Sequence, residues 1–229
     1  MMETISTSAP WSLTAMKIEI VSHLFVREGK EVEVTVETSE VYKMNTYRYT
    51  LSREAWERLG LVEGEISRED AKAVLYEEEK YRATKKAFDI LACGRNSART
   101  LALKLRHRNF SLKICDEVAE LLKAKGYIRE DDDAVREAEL CVEKHWGMRR
   151  ILMHLHQKGY DSDAMNAAKE YLAEVDFAEV CAQLIRKEFG TLPKDETERN
   201  RVIAAVVRYG YSMTEIKNAA KLIERVVLD

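Results

Sequence analysis

The chain contains few residues that make turns, with two prolines and nine glycines among 229 residues. A β-sandwich or β-barrel needs turn residues about every ten positions, so this scarcity argues against both folds. No apolar run approaches the roughly 20 residues that a membrane-spanning helix requires. The first residues lack the basic start and apolar core of a signal peptide, and the four cysteines form no CxxC pair. We therefore expect a cytoplasmic protein with buried, reduced thiols.

Motifs of the common catalytic and cofactor sites are also absent: the sequence has no glycine-rich phosphate loop, GxSxG, HExxH or EF-hand pattern. The acidic run 131–133 opens a predicted helix, where carboxylates favour the helix dipole, so we do not interpret it as a cation site. Cys141 and His145 are four residues apart, with His154 and His156 nearby. Zinc could use this set, but no second cysteine pair completes it, and a core thiol with surface imidazoles is favoured. The sequence predicts no enzyme activity, cofactor or metal.

The sequence is rich in charged residues and in regularly spaced apolar residues. Charged residues make up 34% and hydrophobic residues 46% of the chain, which fits a soluble, mainly helical protein. Three alternating runs predict strands, with a turn at 27–30 between the first two: Ile18 and Ile20; Val32, Val34 and Val36; Tyr47, Tyr49 and Leu51. Ser52 starts a short helix that ends before Gly60, and Ser67 with Asp70 forms the capping box of the next helix. No strand pattern follows Ser67.

The rest of the chain repeats. Residues 105–110, 155–160 and 206–211 share one pattern: an apolar residue, three mainly polar or basic residues, Gly or Asn, and an aromatic residue. The aromatic residues are 50 and 51 positions apart. Apolar residues recur nine and five positions before them and eight and twelve after them: Leu101, Leu105, Val118 and Leu122; Ile151, Leu155, Ala168 and Leu172; Val202, Val206, Ala219 and Ile223. A period of this length is typical of stacked supersecondary units.

Three helices are predicted in each unit. The second helix ends at a left-handed residue, which Asn and Gly adopt most cheaply, and the third begins just after the aromatic residue. The left-handed caps are Asn109, Gly159 and Gly210; the aromatic core residues are Phe110, Tyr160 and Tyr211; the starts of the third helix are Ser111, Asp161 and Ser212. We also expect Gly126, Gly147 and Gly190 to close helices.

The predicted fold is mainly α, an elongated curved array of three tandem three-helix repeats with a small N-terminal cap of β-hairpin and helix. The cap covers residues 1–66, the linking helix and repeat 1 cover 67–127, repeat 2 covers 128–175 and repeat 3 covers 176–229.

The net charge of −3 hides an uneven distribution, because residues 1–85 carry −4, residues 86–160 carry +4 and residues 161–229 carry −3. The second helix of each unit is basic and poor in acids. We define the basic track as Arg95, Arg99, Lys104, Arg106, Arg108, Arg149, Arg150, Lys158, Arg201 and Arg208. Solvated helix faces normally mix both signs, so we favour a track that faces an acidic surface, such as nucleic-acid phosphates or a protein filament. The alternative is a solvated face with local ion pairs to other helices.

Residues 47–229 resemble the RecX family of bacterial regulatory proteins. The resemblance is carried by residues 87–91 followed by Ser97, by 121–128 followed by acids, and by 146–151 leading to Lys158-Gly-Tyr160. It implies tandem three-helix units and a non-enzymatic regulator that binds in the groove of the RecA–DNA filament. Such proteins suppress RecA's ATPase, strand-exchange and coprotease activities, and so modulate recombination, DNA repair and the SOS response.

The partners that this resemblance implies are the RecA filament and single- or double-stranded DNA, with no membrane partner, and we expect a cytoplasmic monomer. Arg149 and Arg150 belong to the matching stretch at 146–151, which supports their place in the basic track. The alternative function is a direct DNA-binding helical module, since three-helix units can imitate helix-turn-helix geometry.

Overall fold

The structure, a computed structural model, describes residues 17–40 and 43–226. The N-terminal residues that we judged not to be a signal peptide lie outside this part of the chain. The elements in chain order are β1 (Lys17–Val26), β2 (Glu31–Glu40), β3 (Lys43–Ser52), α1 (Arg53–Leu59), β4 (Gly64–Glu65), α2 (Arg68–Ala92), α3 (Ala98–Arg106), α4 (Leu112–Ala124), α5 (Glu130–Glu143), α6 (Met148–Gln157), α7 (Ser162–Ala173), α8 (Phe177–Phe189), α9 (Glu196–Arg208) and α10 (Met213–Val226). The predicted mainly α fold with a small N-terminal β part is confirmed.

The N-terminal sheet contains the three predicted strands and a fourth, β4, that the sequence did not indicate. Its order is β3-β2-β1-β4, and each neighbouring pair is antiparallel. Alternation of apolar and polar residues predicted the three strands because successive side chains of a strand point to opposite faces of the sheet, of which one is buried. Strand β4 pairs with Glu19 and Ile20. It is only two residues long, which is too short to show a periodic pattern in the sequence.

The described residues divide into two compact units, one comprising 17–40, 43–93 and 101–119 and the other 94–100 with 120–226. In the first unit, the apolar face of the sheet packs against Ala55 and Trp56 of α1 and against Ala71 and Val74 of α2. Both helices start as predicted. The Ser52 hydroxyl accepts a hydrogen bond from the Ala55 amide, and Ser67 and Asp70 form the reciprocal capping box.

The second unit is built around one apolar core. Helix α5 packs against α7 and α6, and α8 packs against α10, with α9 in contact with both α8 and α10. The core includes the side chains of Ile151, Leu155, Tyr160 and Tyr211. In the part of the chain that the structure describes, no strand follows Ser67 and no helix is both long and apolar enough to cross a membrane.

The predicted repeat agrees with the caps and with the burial of its apolar positions. Asn109, Gly159 and Gly210 have φ angles of 64°, 75° and 101°, each directly before the aromatic residue. Tyr160 and Tyr211 are buried, whereas Phe110 is half-buried. All twelve repeated apolar positions are buried except Val202, which is half-buried. The elongated, curved arrangement and the four segment boundaries stay predictions.

Gly147 has a different role from the one expected. Helix α5 already ends at Glu143, and His145 is the left-handed residue of this turn (φ 58°). Gly147, with φ −78°, instead precedes α6 as its N-cap. A Cβ on Gly147 would lie 2.6 Å from the carbonyl oxygen of Gly210, so the position requires glycine for close approach and not for its backbone conformation. Gly126 and Gly190 close their helices as predicted, with φ angles of 75° and 74°.

An ion network around the buried Glu130 joins segments of the second unit that are distant in the sequence. The Glu130 carboxylate, at the start of α5, accepts a hydrogen bond from the Ala98 amide (2.6 Å) and contacts the Lys123 ammonium (2.7 Å). Lys123 also contacts Asp161 at 2.5 Å, and Asp161 caps α7 through the Ala164 amide. The hydrogen bonds from Lys123 and Ala164 lower the pKa of Asp161 to about 2. In turn, the carboxylates of Asp161 and Glu130 raise the pKa of Lys123.

Replacing Gly147 with alanine should lower the free energy of unfolding by about 2 kcal/mol, because the new methyl group overlaps the Gly210 backbone. Chemical denaturation followed by circular dichroism measures this. Gly190→Ala is the control, since that glycine is left-handed and the described atoms leave its Cβ unobstructed within 4 Å. The Gly190→Ala cost measures backbone strain without overlap, and a Gly147→Ala variant as stable as the wild type would contradict the close approach.

Replacing Lys123 with methionine should lower the free energy of unfolding by about 3 kcal/mol at neutral pH, because it leaves the buried Glu130 carboxylate without its cation. A carboxylate with a lowered pKa stabilises the fold above its ordinary pKa, and this contribution is lost as the pH falls through the lowered value. The difference between wild type and variant should therefore shrink from pH 4 towards pH 2, the range set by Asp161. Lys125→Met, an exposed lysine of the same segment, should change stability little at any pH; a constant difference would exclude the network from acid unfolding.

Candidate partner-binding surface

The basic track is distributed over α3, α6, α9 and the residues next to these helices. Eight of its ten residues are exposed, whereas Arg150 and Lys158 are half-buried. Lys104, Arg106 and Arg108 belong to the first unit, and the other seven residues belong to the second. Within the second unit the structure brings Arg149, Arg150 and Arg208 together, from two different predicted repeats.

These three arginines line a groove between α6 and α9, the second helices of repeats 2 and 3. Its volume is about 530 Å³, and its walls also include Trp146, His154 and Gln157. The apolar part of the groove is formed by Met153 and Val207, whose side chains are exposed. No carboxylate is found among the described residues that line it. The groove therefore combines positive charge with accessible apolar surface.

The Gly147–Gly210 contact positions the groove. The Gly147 amide donates a hydrogen bond to the Tyr209 carbonyl (2.8 Å), so α6 begins directly against the end of α9. A Cβ on Gly210 would lie 2.6 Å from the Arg150 amide nitrogen. Because both positions lack a side chain, the first turn of α6 lies close to the last turn of α9. This proximity places Arg149 and Arg150 next to Arg208.

Arg150 is held in place by aromatic rings. Its guanidinium lies over the Trp146 ring, 4.0 Å from the ring centroid, and 5.5 Å from the Tyr209 ring centroid. Such stacking is favourable because the ring face is electron-rich. The His154 ring meets Trp146 edge-on at 5.3 Å. Trp146 therefore packs against Arg150 and His154.

Arg149 and Arg208 are different from Arg150 because they are exposed and, among the described residues, form no ion pair. Helix α6 also begins without a side-chain cap from any described residue, so its N-terminus contributes partial positive charge to the same place. The mouth of the groove therefore presents positive charge that no acid of the described residues neutralises through an ion pair.

Two other residues of the basic track form ion pairs with α5. Arg95 lies 3.1 Å from Asp133, and Lys158 lies 2.9 Å from Glu137. Burial raises the pKa of Asp133 in spite of Arg95. The Lys158 backbone carbonyl additionally accepts hydrogen bonds from the Ser97 and Thr100 hydroxyls. At these two positions the local ion-pair interpretation describes the structure.

The residues considered for zinc are not brought together as a set. The His145 ring points to the Glu143 carbonyl (2.9 Å), whereas Cys141 and His154 lie close to Glu137, with ligand atoms within 4.8 Å of one another. Burial raises the pKa of Glu137, but the hydrogen bonds from His154 and Lys158 outweigh it and leave the pKa lowered. Burial also raises the pKa of the Cys141 thiol. A zinc ion here would have to displace Lys158 and deprotonate a buried thiol.

Sequence reasoning found the arginines of the groove but missed its apolar residues. Met153 is two positions after the buried Ile151, and Val207 directly follows the buried Val206. Both are therefore apolar residues beside the buried stripe of a helix and not on it. An apolar residue outside the buried stripe of its helix is therefore the sequence pattern that could have indicated the apolar part of the groove.

Comparisons with known proteins agree with this fold. A scan against protein-family models gives no match. The chain is 27% identical over 191 residues to "Regulatory protein RecX" of Clostridium acetobutylicum, covering 79% of this chain and 87% of the relative. A crystal structure of regulatory protein RecX matches 87% of this chain and 97% of its own length, with a TM-score of 0.67 and 15% identity. RecX from Lactobacillus salivarius matches 64% of this chain and 97% of its own length, with a TM-score of 0.54 and 16% identity.

The resemblance to the RecX family is confirmed. The two structural matches show that the fold is that of RecX crystal structures, and the sequence match is to a protein named as a RecX regulatory protein.

Thiol reactivity tests the burial of the cysteines. Cys115, Cys141 and Cys181 are buried as expected, and burial raises the pKa of Cys181 to about 12. Cys93 is exposed, contrary to the expectation, because it is the C-cap of α2, beyond the last buried turn. We expect one thiol to react with a chromogenic disulfide in the folded protein and four in denaturant. Cys93→Ser should abolish the native-state reaction; rapid native labelling of the variant would contradict the burial.

Proposed function

We propose that this protein regulates RecA by binding in the groove of the RecA–DNA filament and lowering its ATPase, strand-exchange and coprotease activities. The observation that carries the proposal is the groove between α6 and α9, which has three arginines and no carboxylate among the described residues that line it, on a chain similar to a RecX regulatory protein. A filament presents the same surface repeatedly. Several weak contacts from α3, α6 and α9 would then act together through a high effective concentration.

In this proposal the protein acts as a monomer in the cytoplasm, without catalysis of its own, and alters recombination, DNA repair and the SOS response through RecA. The exposed Arg149 and Arg208 would contact the filament, and Arg150 would support them from its place against Trp146. Arg95 and Lys158 are paired with Asp133 and Glu137, so we assign them a smaller part in binding.

Direct DNA binding is the second candidate, because the same exposed arginines suit phosphates. It predicts tight binding to naked DNA with a steep dependence on salt, whereas the RecA proposal predicts weak binding to naked DNA at physiological salt. Titration of the protein against single- and double-stranded oligonucleotides at several salt concentrations separates the two.

The RecA proposal predicts that the purified protein lowers ATP hydrolysis by RecA on single-stranded DNA at or below one protein per RecA subunit. Arg149→Glu with Arg150→Glu should weaken this inhibition about tenfold or more, because two cations become anions in the groove. Arg149→Glu with Arg208→Glu repeats the test without disturbing the Arg150–Trp146 stack.

The matched control is Lys169→Glu with Lys217→Glu, two exposed lysines on α7 and α10 that lie outside the groove. All variants should keep the far-ultraviolet circular dichroism of the wild type. A RecA ATPase rate that the wild-type protein leaves unchanged over the whole range would reject the proposal. Equal inhibition by groove and control variants would remove the groove from it.

A further inference from the structure

We propose that the groove between α6 and α9 binds an acidic peptide segment that inserts an apolar side chain. This inference rests on the proposed function for the source of the segment, a loop or tail of the partner protein. Its chemistry follows from the groove alone. The pocket volume of about 530 Å³ lies in the range of about 300–1,000 Å³ that is typical of ligand sites, which suits a short segment better than a whole domain surface.

The need for acidic groups follows from the unpaired arginines. Several cations of this unit are neutralised by acids of the same chain, as Arg95 is by Asp133 and Arg186 is by Glu179. Arg149 and Arg208 form no ion pair among the described residues, and the groove contains no lining carboxylate. Two guanidinium groups beside an uncapped helix N-terminus attract anions, and each can hold a carboxylate through two parallel hydrogen bonds.

The need for an apolar group follows from Met153 and Val207. Their side chains are 58% and 42% exposed, although both line the groove. Covering such surface with an apolar side chain is favourable because it removes both apolar surfaces from water. Methionine adapts its shape to different partners, which makes it common at peptide-binding surfaces. A phosphodiester backbone alone would leave this surface uncovered.

The aromatic residue of the groove argues against single-stranded nucleic acid. Proteins that bind single strands stack bases on the open faces of aromatic rings. In this groove the Arg150 guanidinium covers a face of Trp146 at 4.0 Å, and His154 meets the ring edge-on. A base could not stack on that face without displacing Arg150. The groove therefore fits carboxylates and an aliphatic or aromatic side chain better than it fits bases.

The test is a direct binding measurement without RecA, by fluorescence anisotropy at moderate salt. The first probe is a short labelled peptide of glutamates interrupted by two leucines. The second replaces both leucines with serine, and the third is an oligo(dT) of equal net charge. We expect the leucine peptide to bind about fivefold or more tightly than the serine peptide, and more tightly than oligo(dT).

Variants assign the binding to the groove. Arg149→Ala with Arg208→Ala should weaken binding of both peptides about tenfold, because two charge-assisted contacts are lost. Met153→Gln with Val207→Gln should remove the preference for leucine and change the affinity for the serine peptide little. Lys169→Ala with Lys217→Ala, outside the groove, should change neither affinity.

Three results would overturn the inference: equal affinity for the two peptides, binding of oligo(dT) as tight as that of the leucine peptide and lost in the same variants, or no peptide binding. The outcome of the RecA ATPase assay does not depend on the outcome of the peptide-binding measurement, so the two proposals can be rejected separately. Peptide binding with no effect on RecA would retain the groove chemistry and reject RecA as the partner. Inhibition of RecA without a leucine preference would retain the regulator and reject the peptide.

Discussion

The second unit depends on one buried carboxylate. Glu130 is almost fully buried, and burial of a charge is costly unless cations and hydrogen-bond donors compensate it. The Ala98 amide and the Lys123 ammonium supply this compensation, and Lys123 extends it to Asp161, the N-cap of α7. The start of α3, the end of α4, the start of α5 and the start of α7 are thereby held by a single network. Since α6 packs against both α5 and α7, the network also determines where the first turn of α6 lies.

The second constraint is the contact between two glycine backbones. Gly210 satisfies two requirements at once, because it is left-handed and because a Cβ there would overlap the Arg150 amide. Gly147 satisfies only the requirement for space. Their contact joins the second helices of two repeats, and it is the reason that arginines from both helices line a single groove. The residues that line the groove therefore depend on this backbone contact between the two repeats.

The local features of the fold could be predicted, and the tertiary ones could not. Alternation at Val32 to Val36, the capping box at Ser67 and the left-handed cap at Asn109 each depend on residues that are neighbours in the sequence. The role of Gly147 depends on Gly210, in another repeat, and no periodicity marks that pairing. The same limit applies to the candidate site. The basic helices were visible in the sequence, but the acids that neutralise Arg95 and Lys158 belong to α5, so the sequence could not show which cations remain unpaired.

Helix α5 explains how a chain with a net charge of −3 keeps a positively charged groove. Its acids are used within the unit: Glu130 holds Lys123, Asp133 holds Arg95, and Glu137 holds Lys158. The pairs with Arg95 and Lys158 neutralise cations at the edges of the basic track, and no acid of α5 is among the described residues that line the groove. Arg150, which is nearest to the core, is stabilised by aromatic rings and not by a carboxylate, so it keeps its charge uncompensated. An acid in place of Trp146 would cancel that charge, and the groove would then lose part of the positive charge on which the proposed binding of an acidic segment depends.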